Sequence, residues 1–332
     1  MYCPKCGREA EAGARFCVRC GTPFPVAPLP QKPSRAKTVL FACLRAAAYF
    51  LFFVVMQNIV AVGYIFLHIF RFVMQGAMGG LDPATLYDRA YSTAVEALTQ
   101  HLHMLLILST LLSILILCVQ FRLRHKNPLA EMHVRSVPLS RLGAALLFGA
   151  SLQILVSLLL SVLPIPESLV ESFNENAELL YGGPIVWEFI DVALFTPIIE
   201  EITFRGLIFT RLRRGMAAGV AVAVSAVVFG IAHGHIISFV YAGALGALLA
   251  VMMLKNNDSI LVTICCHAGF NAASYLLQLI TSDSIPLFAA IGLAAAAAAC
   301  FGGYVVLRPL PAPAAQAAGD PPSDELPGGE QQ

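Results

Sequence analysis

Three polar clusters interrupt long apolar stretches of the chain. The first is Glu200-Glu201 with Arg205, in the run LFTPIIEEITFRGLIF. The second is Phe229-x-x-x-His233, in VVFGIAHGH, and the third is His267-x-x-x-Asn271, in CCHAGFNAASYLL. An ionised side chain at mid-membrane costs ~2.5–3.5 kcal/mol on insertion scales, so two adjacent carboxylates there need a reason. Residues four apart share a helix face, so Glu201 and Arg205 can pair. Adjacent helical residues differ by about 100°, which turns Glu200 to another face and leaves it to work. His267 and Asn271 bring an imidazole and an amide to one helix face. A carboxylate beside an imidazole can take a proton from water, and imidazole and amide donors can stabilise an oxyanion. Together these groups could hydrolyse an amide inside a membrane. Each cluster also has a plainer reading: helix bracing for Glu201–Arg205, an interfacial residue for His233, an interhelical hydrogen-bond pair for His267–Asn271.

A different chemistry opens the chain. In MYCPKCGREAEAGARFCVRCG, Cys3 and Cys6 form one C-x-x-C and Cys17 and Cys20 another, each followed by a glycine. Four thiolates presented from tight turns suit tetrahedral Zn²⁺. Two disulfides in a secreted head are the alternative, and the basic residues that follow disfavour it by keeping the head in the reducing cytosol. The segment resembles the small zinc-ribbon heads of many prokaryotic membrane proteins. A closed four-thiolate site has no open coordination position, so its zinc is expected to be structural.

The elements that must position the polar clusters follow from composition. Of 332 residues, 58% are hydrophobic and only 12% charged, about half the share of a soluble domain. No Asp, Glu, Lys or Arg occurs in 46–70, 97–121, 142–166, 215–254, 259–282 or 284–307. Each stretch can hold a membrane-spanning helix of ~20 residues, and 215–254 can hold two with a turn near Gly234-His235. The expected fold is an all-α polytopic membrane protein with eight spans, at about 40–70, 98–121, 142–164, 185–210, 216–233, 236–254, 259–280 and 285–307. A net charge of +1 argues against nucleic acid as a partner.

The basic residues Lys32, Arg35, Lys37, Arg122, Arg124, Lys126, Arg135, Arg141, Arg211, Arg213, Arg214, Lys255 and Arg308 fall in alternate loops. The loop 165–184 holds Glu167, Glu171, Glu175 and Glu178 and no Lys or Arg. The positive-inside rule then puts both termini in the cytosol of a multi-pass cell-membrane protein. No basic region followed by a short apolar core opens the chain, so no cleavable leader is expected. The expected organisation is a ribbon over 1–21, a proline-rich linker over 22–37, a membrane domain over 38–308 with its polar motifs in 185–280, and a disordered tail over 309–332. Cys43, Cys118, Cys265, Cys266 and Cys300 lie in apolar runs and are expected as buried free thiols. Gly215–Gly219 and Gly230–Gly234 have GxxxG spacing, expected to serve packing within the chain. Straight spans would leave Glu200 nearer the cytosol and His233 nearer the outside, so a bend at Pro197, a tilt or a later start of the fifth span is required.

Glu200-Glu201-x-x-x-Arg205 followed by Gly206, then Phe229-x-x-x-His233, then His267-x-x-x-Asn271, in this order, resemble the three motifs of the CPBP intramembrane proteases. That family, also called Abi, covers CAAX prenyl endopeptidases and bacteriocin-processing or immunity proteins, and the resemblance spans about 185–280. It implies that Glu200, assisted by His233, activates the attacking water. It implies that His267 and Asn271 form the oxyanion pocket, while Glu201 and Arg205 support the site or position substrate. Both metalloprotease and metal-free glutamate mechanisms have been advanced for the family. HExxH is absent; one Glu with two His could ligate Zn²⁺, and the same residues suffice without it. The implied substrate is a membrane-associated or lipidated peptide or protein, with the bilayer as the medium and the zinc head as a possible recruiter of a protein partner. A non-catalytic scaffold or immunity factor is the alternative, and a proton-coupled transporter is a third reading.

Overall fold

The computed structural model describes residues 2–9, 11, 14, 16–24, 34–78, 82–178, 184–278 and 285–311. Most of the proline-rich linker and nearly all of the C-terminal tail therefore lie outside the described residues. The chain divides into two compact units, Met1–Thr38 and Val39–Gln332.

The first unit is a pair of matched knuckles. The Cys3 and Cys17 amides donate to the Arg8 and Thr22 carbonyls, and the Gly7 and Gly21 amides donate back to the Cys3 and Cys17 carbonyls. Gly7 and Gly21 sit at φ +66° and +69°, which glycine adopts without penalty and which closes each turn. Phe24 is buried with Cys3 and Cys17 in a miniature core, so the folded ribbon runs three residues past the expected limit at Gly21.

The second unit is helical. We label α1 Arg35–Met78, α2 Pro83–Leu123, α3 Pro128–Glu131, α4 Leu139–Val162 and α5 Glu167–Glu178. A broken helix, α6, covers 185–212, and α7 Ala218–Ile231, α8 Ile236–Lys255, α9 Ile260–Gln278 and α10 Ile285–Leu307 complete the unit. Among the described residues five helices are long and apolar enough to cross a membrane, and Ala218–Ile231 and Ile260–Tyr275 are shorter apolar ones. The first two helices outrun the apolar stretches that announced them. At ~1.5 Å per residue, the 44 residues of α1 reach about twice the ~30 Å of bilayer hydrocarbon. The start of α2 carries Asp88, Arg89 and Glu96 and is capped by the Asp82 carboxylate, which accepts from the Thr85 amide. The acidic loop expected over 165–184 contains the short helix α5.

Packing brings α4 against α9 and α10, and α7 against α8. Small residues set the approach. A Cβ on Gly149 would lie 1.7 Å from the Cys266 carbonyl oxygen, and one on Gly269 would lie 2.1 Å from that of Leu146. The two glycines thus lock α4 and α9 reciprocally, the membrane form of close helix packing. Gly230 meets Phe239 of α8, while nothing lies near Gly219, so of that spacing Gly230 serves packing within the chain. Gly234 instead makes the α7–α8 turn at φ +72°, and the His235 ring caps α8 by accepting from the Ile237 amide. Cys266 is a buried free thiol as expected, but Cys43 and Cys300 are exposed and Cys118 and Cys265 are half-buried. An apolar run marks a helix without saying which face meets lipid, and that is why the expectation of burial fails for four of the five.

The basic loops meet at one end of the unit. Arg211 and Lys126 both bind Glu131, at 2.6 and 2.8 Å. Arg213 binds Asp258 at 2.5 Å, Arg135 donates to the Asn257 carbonyl, and Arg141 bonds both Asn256 and the Arg308 carbonyl. These bonds tie the loops after α2, α6, α8 and α10 into one clamp.

Candidate active site

The polar site grows out of α6, whose winding changes repeatedly. Ile185–Ile190 and Thr196–Glu200 are α-helical, and Asp191–Phe195 and Glu201–Phe209 are π-helical. Pro197 has no amide to donate one turn back, and the irregular register lies on either side of its segment. Wider π turns re-aim side chains and recur at functional sites. Here the change of winding falls between Glu200 and Glu201, and the two carboxylates have unlike surroundings.

Glu201 and Arg205 are each 0% exposed, and Arg205 Nη1 donates to Glu201 Oε1 at 2.7 Å. The guanidinium lies 4.1 Å from the centre of the Phe229 ring, a cation–π contact in dry surroundings. Phe204 packs edge-on against the same ring at 4.9 Å. A Cβ on Gly246 of α8 would fall 3.0 Å from the Phe229 ring and 3.1 Å from Arg205 Nη2, so glycine makes room for the pair. His267 Nδ1 meets Glu201 Oε1 at 3.0 Å, and the ionised carboxylate makes Nδ1 the protonated nitrogen. That bond leaves Nε2 on the other side, 3.7 Å from Glu200 Oε2. Glu200 is 14% exposed at its side chain, and its Oε2 is buried with no hydrogen-bond partner among the described residues. His267 therefore sits between the two carboxylates.

The remaining two expected site residues attach differently. Asn271 Nδ2 donates to the Val192 carbonyl at 2.8 Å, inside the first π segment of α6. His233 Nδ1 bonds the Phe229 carbonyl at 2.8 Å, and its ring stands 4.8 Å from the Phe229 ring, which lies 5.8 Å from that of His267. The structure brings Glu200, Glu201, Arg205 and His267 into one cluster, and His233 reaches it through Phe229. The fifth span starts later than the expected 216, with α7 beginning at Ala218 and running for 14 residues. At ~1.5 Å per residue it rises about 21 Å, less than the ~30 Å of bilayer hydrocarbon.

A second buried polar group was missed from sequence. His103 Nδ1 binds Asp191 Oδ2 at 2.9 Å, Thr196 donates to Asp191 Oδ1, and the Tyr275 hydroxyl donates to Glu188 at 2.9 Å. All except half-buried Thr196 are buried. Asp191 and Glu188 lay inside the expected fourth span, where any carboxylate is costly, and that was the available signal.

Metal fit separates head from membrane. The four cysteine sulfurs lie within 4.8 Å of one another, with Cys3–Cys20 and Cys6–Cys17 both at 3.5 Å. Tetrahedral Zn²⁺ with Zn–S of ~2.3 Å spaces its sulfurs by about 3.8 Å, so the set fits after a small expansion. The Thr22 hydroxyl and amide pull the Cys20 thiol down to about 6, while against the Arg8 amide the neighbouring sulfurs push that of Cys6 up to about 12. Among the described residues no second set of three or more such ligand atoms lies that close. In the membrane cluster both nitrogens of His267 are turned to carboxylates.

Residues 182–273 match the family described as type II CAAX prenyl endopeptidase Rce1-like, and residues 2–24 match the zinc-ribbon domain. No curated protein and no solved structure matches the chain. The first match covers the whole broken helix and the His267–Asn271 turns of α9, the segments that build the carboxylate–imidazole cluster. The chain thus carries a domain like that of the type II CAAX prenyl endopeptidases, a protease family, and a zinc ribbon at its head.

Proposed function

We propose that the chain is an intramembrane endopeptidase that cleaves a membrane-associated or lipidated peptide at the Glu200–His267 cluster. The observation that carries this reading is the 3.7 Å gap between Glu200 Oε2 and His267 Nε2, with the carboxylate oxygen otherwise unpartnered. The gap exceeds a hydrogen bond, and a bridging water would satisfy both atoms. Glu200 takes a proton from that water, and the oxygen attacks the scissile carbonyl carbon. Nδ1 of His267 is held by Glu201, which fixes the ring as the orienting carboxylate does in a catalytic triad. Asn271 spends one amide hydrogen on the Val192 carbonyl and keeps a second for the developing oxyanion, with the His267 ring beside it. The proton held by Glu200 passes to the departing amine. His233 borders the pocket across Phe229 and assists Glu200 through solvent. The four ribbon cysteines hold a structural zinc. Both termini are cytosolic, supported by the clamp that gathers the basic loops at one end.

The test is Glu200→Gln in the purified full chain, assayed in liposomes on a fluorogenic farnesylated peptide ending in a Cys-aliphatic-aliphatic-X sequence. Cleavage should fall by roughly 10²–10⁴, the usual worth of a general base, while the melting curve stays in place. Wild-type cleavage rates in a well-folded Glu200→Gln protein refute the assignment.

A further inference from the structure

Away from the carboxylate cluster, a pocket of about 380 Å³ opens among α1, the end of α2, the end of α6 and the loop before α4. Arg45, Arg124, Lys126, Arg211 and Arg214 line it, against the single acid Glu131. Glu131 is already engaged by Lys126 and Arg211, and Arg211, 4% exposed, also stands 5.9 Å from the Tyr49 ring. Arg45, Arg124 and Arg214 form no ion pair among the described residues. Such a density of cations is unfavourable unless an anion joins it. The floor is apolar, built from Phe52, Leu117 and Phe121. Next to Arg45 on α1, Phe41 and Leu44 are more than half exposed, as befits residues facing acyl chains. Gln120 lines the same pocket with a buried side-chain oxygen that has no partner among the described residues, an acceptor awaiting a hydroxyl donor.

We propose that this pocket binds an anionic phospholipid whose headgroup carries a hydroxyl, with the phosphate on Arg45, Arg124 and Arg214 and an acyl chain along the apolar floor. Basic pockets between transmembrane helices at the positively charged face suit such headgroups. A free phosphate would use the arginines and gain nothing from Phe52, Leu117 and Phe121. The site touches the peptidase helix directly: a Cβ on Gly206 would lie 2.6 Å from the Met132 carbonyl, in the same loop that supplies Glu131. Binding here does not depend on the proposed chemistry of Glu200, and its test reads no proteolysis.

Native mass spectrometry of the full chain, released from detergent, measures retained lipid. The probe is phosphatidylglycerol, titrated against phosphatidylcholine of the same chains. Wild-type protein should retain phosphatidylglycerol preferentially. The double variant Arg45→Gln/Arg214→Gln should bind it roughly 30-fold more weakly, two surface-adjacent arginines at ~1 kcal/mol each. Lys255→Gln, a basic residue at the same end but outside the pocket, should bind as wild type does. If the glutamine pair fails to fold, Arg45→Lys/Arg214→Lys keeps the charge and should retain most of the binding. Equal retention of the two lipids by wild type overturns the proposal. So does unchanged affinity in the glutamine pair, or full displacement of the lipid by inorganic phosphate or a peptide C-terminal carboxylate at equal concentration.

Discussion

Glu200 and Glu201 are neighbours in the chain and opposites in surroundings. On the Glu201 side the buried charges are paired: a guanidinium at 2.7 Å, an imidazole at 3.0 Å and two aromatic rings around them, with Glu201 Oε2 and Arg205 Nε and Nη2 left without a hydrogen bond among the described residues. On the Glu200 side one carboxylate oxygen is buried without a hydrogen bond, and the His267 ring nitrogen stands 3.7 Å away. The lesson is about division of labour. A paired buried charge is a fixture, because removing its partner strands a charge in low dielectric. A carboxylate with no guanidinium against it keeps its lone pairs for chemistry. Loss of Glu201 should therefore be felt first as loss of the fold, and loss of Glu200 as loss of the reaction.

The largest expected effect comes from Glu201→Gln. It strands the Arg205 cation at 0% exposure, and breaking a buried pair typically costs about 3–5 kcal/mol. Chemical denaturation of the detergent-solubilised chain should register most of that loss, with cleavage vanishing alongside. Glu200→Gln, measured in the same two assays, should lose cleavage with little change in stability. Should both glutamine variants lose stability equally, the contrast between the two sides breaks and the cluster is a brace.

Arg205→Lys sharpens the same contrast at lower amplitude. It keeps a positive charge but gives up the planar guanidinium that donates to Glu201 while lying 4.1 Å from Phe229. Lys is a compact ammonium that cannot make both contacts in one geometry, and the loss of the cation–π contact alone should cost about 1–2 kcal/mol. A thermal melt reads it, and cleavage should survive in the remaining folded fraction. Unchanged stability would mean that charge alone, without stacking, holds the dry side.

How much of this was legible in the residues differs between the parts. The ribbon was fully so, because C-x-x-C spacing and glycine place all four thiolates through local turns. The membrane helices were legible as apolar runs, but their ends were not: α1 and α2 continue past the runs, since helix propensity and the Asp82 cap do not depend on the bilayer. The Glu201–Arg205 bond followed from four-residue spacing. The His267–Glu201 bond did not, because it joins residues 66 apart, on α9 and α6. The π turns were likewise hidden, since no residue type announces them as proline announces a kink. For the same reason the Asp191–His103 contact, 88 residues apart, was out of reach.

The contrast between held and unheld groups recurs outside the membrane, at the basic clamp, and gives the smallest effect. Burial opposes ionisation of the Glu131 carboxyl, and Lys126 and Arg211 overcome it, holding the group below its usual range. Burial pushes the His133 imidazole down, Arg135 and Arg211 add to that, and Asp258 opposes; its Nδ1 is buried without a hydrogen-bond partner among the described residues. The two should act in different pH windows. A carboxyl with a depressed folded pKa contributes stability above its unfolded value of 4.5, and the contribution fades as pH falls below that. A histidine with a depressed folded pKa binds its proton more readily when unfolded, so stability falls once pH drops through 6.5. Between pH 7.5 and 5.5 Glu131 stays ionised, and the decline expected there comes from His133. Thermal melts across that window should slope downward for wild type and flatten in His133→Gln, while Glu131→Gln should lower the whole curve and leave its slope unchanged. A wild-type slope that persists in His133→Gln would move the acid sensitivity to another histidine and leave the clamp with one kind of buried group instead of two.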